Sequence, residues 1–312
     1  MSPDDKLLPS PWDRIVARLR SSLKTGLTLE YKLDELKLNQ GLILTALNAT
    51  KTSRQLQDYE FRVFSQWGED GIIQKLVATV DVAHRTFIEF GAEDFKESNC
   101  RFLMSKDNWS GFVMDGSPRN VRRLNSAATV WRHDIRARAA FITRENINEL
   151  LASSGFDADL GLLSIDIDGV DYHVLERIEH YRPRILVLEY NPIFGAERAI
   201  TVPYEADFYR TAKHHSNMYF GASLAALTHL AQRKGYALVG TTSSGVNAFY
   251  VRRDLLTDRL PELDARTAFT NSKLRESKGP DGRPTLVGGA ARLALIRGMP
   301  VVNVLTGAVE PL

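Results

Sequence analysis

The chain has 312 residues, 44% hydrophobic and 25% charged, with a formal net charge of +2 and one cysteine. That is the make-up of a folded globular protein, not of a disordered or fibrous one, and it leaves no electrostatic footprint for non-specific nucleic-acid binding. Cys100 alone excludes a disulfide framework or a cysteine zinc site, and no apolar run reaches the roughly 20 residues of a membrane-spanning helix. The N-terminus carries charges where a secretory signal needs an apolar stretch, so the expected compartment is the cytoplasm.

Residues 1–55 read as a helical arm. Ile15, Leu19, Ser22, Gly26, Leu29, Leu33, Leu36, Gln40, Ile43 and Leu47 alternate spacings of four and three, the seam of a heptad pattern. Two readings stay open, a helix packed on its own domain and a homo-oligomerising helix. A second helical segment spans about 58–80 and holds Phe64-Ser65-Gln66-Trp67-Gly68-Glu69-Asp70-Gly71. Its two glycines mark a turn, with a helix opening near Gly71. Residues 56–253 then read as an α/β core. Short strands are expected at 86–91, 111–116, 128–131, 160–166 and 184–190, with helices at 120–126, 146–152 and 171–178 between them. A helix at 223–234 precedes strands at 235–240 and 247–251. The short turn between those strands predicts an antiparallel hairpin at the sheet edge. A Rossmann-like seven-stranded sheet, parallel except for a closing antiparallel hairpin, resembles that of class I S-adenosylmethionine-dependent methyltransferases. Residues 254–312 are rich in proline and glycine and read as an irregular tail with one short helix near 290–296.

Ligands of open α/β sheets sit beyond the carboxyl ends of the strands. An acidic residue stands at each of five such ends: Glu89, Asp115, Asp134, Asp166 with Asp168, and Glu189. Gly91 allows close backbone approach to a ligand. Asp115 suits the two hydroxyls of a ribose, and Asp134 an adenine amino group. Glu89 and Asp166 suit the cationic aminoacyl end of S-adenosylmethionine. The alternative for any one of them is a helix N-cap. There is no GxGxxG and no GxxxxGK[ST], which disfavours dinucleotide and P-loop sites.

Ser164-Ile165-Asp166-Ile167-Asp168-Gly169-Val170-Asp171-Tyr172-His173-Val174-Leu175 resembles the motif after strand four of FkbM-like methyltransferases, usually Lys-Ile-Asp-Val-Glu-Gly-Ala-Glu followed by Val-Leu. The segment Ser65–Gly71 is similar to the Ser-Gln-x-Gly-Glu-Asp entry motif of a related bacterial group, and Glu189-Tyr190-Asn191-Pro192 also fits that group. The resemblance covers about 60–252. Two departures are Ser164 in place of Lys and the shorter Asp168 in place of Glu. The resemblance implies methyl transfer from S-adenosylmethionine to an acceptor oxygen, often on a sugar, glycan or secondary metabolite. A small-metabolite or nitrogen acceptor, or a non-catalytic binding role in a glycan-modifying assembly, stays open.

An acceptor hydroxyl must lose its proton to a base or to a metal. Asp166, Asp168, Glu189 and Asn191 are hard oxygen ligands suited to Mg²⁺ or Mn²⁺, and Asp171 stands near enough in sequence to join them. The alternative is that these acids bind the cofactor and cap a helix. Asp166, His173, His214 and His215 are the candidate catalytic groups. Gln66, Trp67 and Glu69 are expected to cover the cofactor or to form a structural turn.

Overall fold

The computed structural model describes residues 11–312. Its helices are α1 (Pro11–Ala49), α2 (Glu69–Thr79), α3 (Arg101–Asp107), α4 (Pro118–Asn125), α5 (Ala128–Arg132), α6 (Ile147–Ala152), α7 (Asp171–Arg177), α8 (Arg210–Lys213), α9 (Leu224–Arg233), α10 (Ala265–Ala268) and α11 (Ala291–Leu295). Its strands are β1 (Thr86–Phe90), β2 (Ser110–Asp115), β3 (Ile135–Ala139), β4 (Leu162–Ile165), β5 (Ile185–Glu189), β6 (Ile200–Thr201), β7 (Tyr236–Thr241), β8 (Asn247–Arg252), β9 (Pro300–Asn303) and β10 (Val309–Pro311).

Seven strands form one sheet in the order β3-β2-β1-β4-β5-β8-β7. The first five in that row run parallel, and β8 is antiparallel to both β5 and β7. This is the Rossmann-like sheet with its antiparallel hairpin that the sequence predicts. Side chains alternate across it as strand geometry requires. Ile88, Phe90, Met114, Leu163, Ile165 and Leu188 enter one core layer with α6, α7 and α9. Phe87, Val113, Leu162, Val187 and Phe249 enter the other, beneath α2 and α3.

Strand three is displaced from its expected place. Ala128–Arg132 is helix α5, and the strand is the following Ile-Arg-Ala-Arg-Ala run. Its alternating arginines suit an edge strand, where inward apolar residues and outward charge discourage further pairing. The tail also has more order than expected. Beyond α11, β9 and β10 join β6 in a three-stranded antiparallel sheet.

One face of α1 packs on the core. Leu38 and Leu44 meet Phe61, Val63, Phe64 and Phe102. Gly41 is needed there, because a Cβ would lie 2.6 Å from Phe102 and Val63. Asp34 pairs with Arg101 at 2.5 Å, Glu30 pairs with Lys96, and Asn48 donates to the Tyr59 carbonyl. The seam positions Ile15, Leu19 and Ser22 lie outside the residues whose side chains are described. No helix among the described residues is long and apolar enough to cross a membrane.

Candidate active site

A cavity of about 780 Å³ opens along the carboxyl edge of the sheet. That size suits a nucleoside-sized ligand and a second small molecule. Gln66, Trp67, Glu89, Gly91, Asp115, Asp166, Asp168, Glu189 and Asn191 all line it. Among the residues expected at the site, Glu69, Asp134, His173, His214 and His215 are not in its wall.

Asp115 ends β2. Its Oδ1 accepts from the Ser117 amide and the Asn120 carboxamide, and its Oδ2 accepts from the Glu93 amide. A carboxylate has about four acceptor positions, so capacity for a further donor remains. Glu89 is buried and faces the cavity. It accepts from the Ser98 hydroxyl at 2.5 Å and the Asn99 and Cys100 amides at 2.7 and 3.3 Å. Burial still pushes its carboxyl up to about 7. It anchors the loop 98–100 that forms one wall. Ser164 is buried and accepts from the Asn99 carboxamide. Gly91 has φ +73°, and a Cβ there would lie 1.6 Å from the Asp166 carbonyl. The close approach that requires glycine is therefore to the neighbouring strand end, not to a ligand.

Asp166, Asp168 and Glu189 converge, with ligand atoms within 4.8 Å of one another. Among the described residues, the carboxylates of Asp166 and Glu189 accept no hydrogen bond. Burial raises both well above the usual carboxylate range, and the negative charge of their neighbours adds to it. Asp168 sits in the left-handed region at φ +55° and pairs with Arg210. Arg210 also approaches Glu276 at 3.6 Å, donates to the Asn217 carbonyl at 2.7 Å and stacks over Phe220. A non-glycine residue held in this conformation beside an acidic cluster is the kind of strain that gathers at functional sites.

Several expected site residues have other duties. Asp134 stands at the amino end of β3, because the strand starts at Ile135; its carbonyl accepts from Gly111 at the opposite edge of the sheet. Ala140, Phe141 and Ile142 occupy the place assigned to it in the cavity wall. Asn191 lines the cavity, but its carboxamide accepts from the Ile193 amide and donates to the Met218 and Phe220 carbonyls. It ties the wall together. Asp171 accepts from the amides of Ile167 and Gly169, holding the turn that presents Asp168.

His173 is buried against Val202, with Nε2 2.9 Å from that carbonyl, and burial lowers its pKa. His214 stacks on His215 and bonds Ser216 through Nδ1. Glu69 accepts from the amides of Trp67 and Gly68 and from the Asn247 carboxamide. It shapes the turn that carries Gln66 and Trp67. Asp70 does the same one step earlier, its Oδ2 gathering the amides of Val63, Phe64 and Ser65 and the Ser65 hydroxyl. The Trp67 indole N–H is buried without a partner at the cavity wall.

Two parts of the wall were missed from sequence. Arg210 lies in the stretch singled out for its histidines; a cation opposite an acidic set was the signal available. The tail contributes Ser272, Leu274, Glu276, Lys278 and Arg292. Arg292 pins this strap by donating to Asn271 and to the Ser272 and Leu274 carbonyls. Glycine- and proline-rich sequence gave no sign of that placement.

No family model and no curated protein matches the sequence. Solved structures match distantly. A methyltransferase in complex with the Trm112 methyltransferase activator of Haloferax volcanii is 12% identical, with a TM-score of 0.36 over 58% of this chain and 88% of that one. An O-methyltransferase family protein from Burkholderia thailandensis is 12% identical, with a TM-score of 0.35 over 59% and 58%. Geranyl diphosphate C-methyltransferase from Streptomyces coelicolor A3(2) is 12% identical, with a TM-score of 0.34 over 53% and 60%. The last two are thus matched over less than two thirds of their own length. Likeness this distant does not bear on activity.

Proposed function

We propose that the protein is an S-adenosylmethionine-dependent O-methyltransferase acting on a hydroxyl of a sugar, glycan or glycosylated metabolite. The observation that carries this reading is one cavity running along the strand ends from Asp115, past Gly91, to the unpaired carboxylates of Asp166 and Glu189. The sequence resemblance around Ser65–Gly71 and Ser164–Leu175 supports it independently.

S-adenosylmethionine supplies an electrophilic methyl on a sulfonium. Asp115 accepts from the ribose hydroxyls, and the Trp67 indole N–H donates from the covering turn. The acidic end of the cavity favours the cationic end of the cofactor. In the transfer the acceptor oxygen forms a bond to the methyl carbon, the sulfur–carbon bond breaks, and the hydroxyl proton leaves. Asp166 or Glu189 takes that proton, because neither accepts a hydrogen bond among the described residues and burial raises its basicity despite the charge of Arg210 nearby. Much of the remaining rate enhancement is positioning.

The same donors fit a divalent cation. Asp166, Asp168 and Glu189 would hold Mg²⁺ or Mn²⁺, which would supply Lewis-acid assistance to hydroxyl ionisation. Two unpartnered carboxylates within ligand distance of a third are the fit. Chelation by EDTA is then expected to lower activity and added Mg²⁺ or Mn²⁺ to restore it.

A sugar acceptor is favoured by two exposed aromatics at the cavity, Phe141 and Tyr209. Each offers an apolar face to the C–H side of a pyranose ring while polar groups stay available. Transfer of labelled methyl to a panel of glycans and small hydroxylated metabolites tests the proposal. Tyr209→Ala is expected to raise KM for a glycan acceptor about tenfold with little change in cofactor affinity. Incorporation into no hydroxyl acceptor would overturn the reading.

A further inference from the structure

The face of α1 turned away from the domain is apolar and uncovered. Leu29, Leu33, Leu36, Ile43 and Leu47 are 48–65% exposed. They fall at spacings of four and three, with Gln40 completing the series. The helix is already fastened through a different face, by Leu38, Gly41 and Leu44. Packing on its own domain therefore does not account for the stripe.

We propose that α1 docks along Leu29–Leu47 with α1 of a second copy of this chain, making a homodimer held by a two-helix coiled coil. The spacing is what knobs-into-holes packing requires, and it persists over six consecutive seam positions. Gln40 is the single polar layer, the type of residue that restricts such a seam to one register at some cost in stability. Five half-exposed aliphatic side chains offer on the order of 400 Å² per copy, so a paired seam with its flanks reaches the roughly 1,000 Å² of a specific interface.

The flanking charges favour this occupant over an anionic membrane surface. Glu30, Asp34 and Glu35 accompany Lys32 and Lys37 on the polar faces, Glu30 and Asp34 being tied to Lys96 and Arg101 of the domain, whereas a helix lying on lipid carries a predominantly basic polar face. A near-neutral border does not repel its own copy.

Sedimentation of the full chain at tens of micromolar tests the proposal. The wild type should run at twice the 35.0 kDa chain mass. The double variant Leu36→Glu/Ile43→Glu should run at the mass of a single chain while keeping the wild-type circular dichroism spectrum and a cooperative melting transition, because both side chains are exposed in the single chain. A monomeric wild type overturns the proposal, as does a double variant that remains dimeric. A monomer that floats with phosphatidylserine vesicles also overturns it and assigns the stripe to lipid. None of these readouts depends on methyl transfer.

Discussion

Asp166→Asn is expected to lower kcat for methyl transfer by about 10²–10⁴-fold, the range typical of a lost general base. Glu189→Gln should fall in the same range. The two partly buried carboxylates lie within ligand distance of the exposed Asp168 and accept no hydrogen bond among the described residues. Such an arrangement destabilises the folded chain, since burial and like charge both oppose ionisation. Each neutral variant should therefore raise the denaturant midpoint while removing activity. A structural acid behaves in the opposite way, losing stability when neutralised. Measuring kcat and the urea midpoint on the same preparations separates the cases. A variant that keeps full activity would remove that residue from the chemistry.

Asp70→Ala should destabilise the fold by about 4 kcal/mol, lowering the melting temperature by roughly 5–8 °C. Asp70 is buried, and one of its oxygens collects three successive backbone amides and a hydroxyl. Truncation leaves those amides without an acceptor beneath α2. Asp70→Asn keeps one carbonyl oxygen and should lose about half as much. Thermal melts by circular dichroism give both values. Equal stability of Asp70→Ala and wild type would contradict the account of this turn.

Asp70 and Glu69 mark where sequence reading succeeds and where it stops. The run Ser65–Gly71 stood out as a motif, and its turn is real. The motif's acids, however, serve the backbone, while Gln66 and Trp67 between them reach the cavity. Sequence reports that a carboxylate is present, not which donors will occupy it. Asn191 and Asp171, expected from sequence to sit beside a metal, each also serve nearby backbone groups. Asp115, Asp166, Asp168 and Glu189 were legible because Asp115 and Glu189 end β2 and β5 while Asp166 and Asp168 follow β4, so chain-local order places them at the sheet edge. Asp134 failed because Val130-Trp131 imitates a strand while the real one carries arginines at alternate positions. The strap from Ser272 to Arg292 was not legible, since its placement depends on contacts with distant residues such as Tyr190, whose hydroxyl donates to the Thr270 carbonyl. On α1 the heptad was visible, but which of its faces the domain would take was not.

On the proposed function, the cavity between Asp115 and Asp166 binds S-adenosylmethionine. Calorimetric titration of the full chain with S-adenosylhomocysteine tests it most directly. One site per chain with micromolar affinity is expected, weakened at least about tenfold by Asp115→Ala through loss of a charge-assisted hydrogen bond. Absence of binding at millimolar ligand by a chain with a normal melting transition would contradict it.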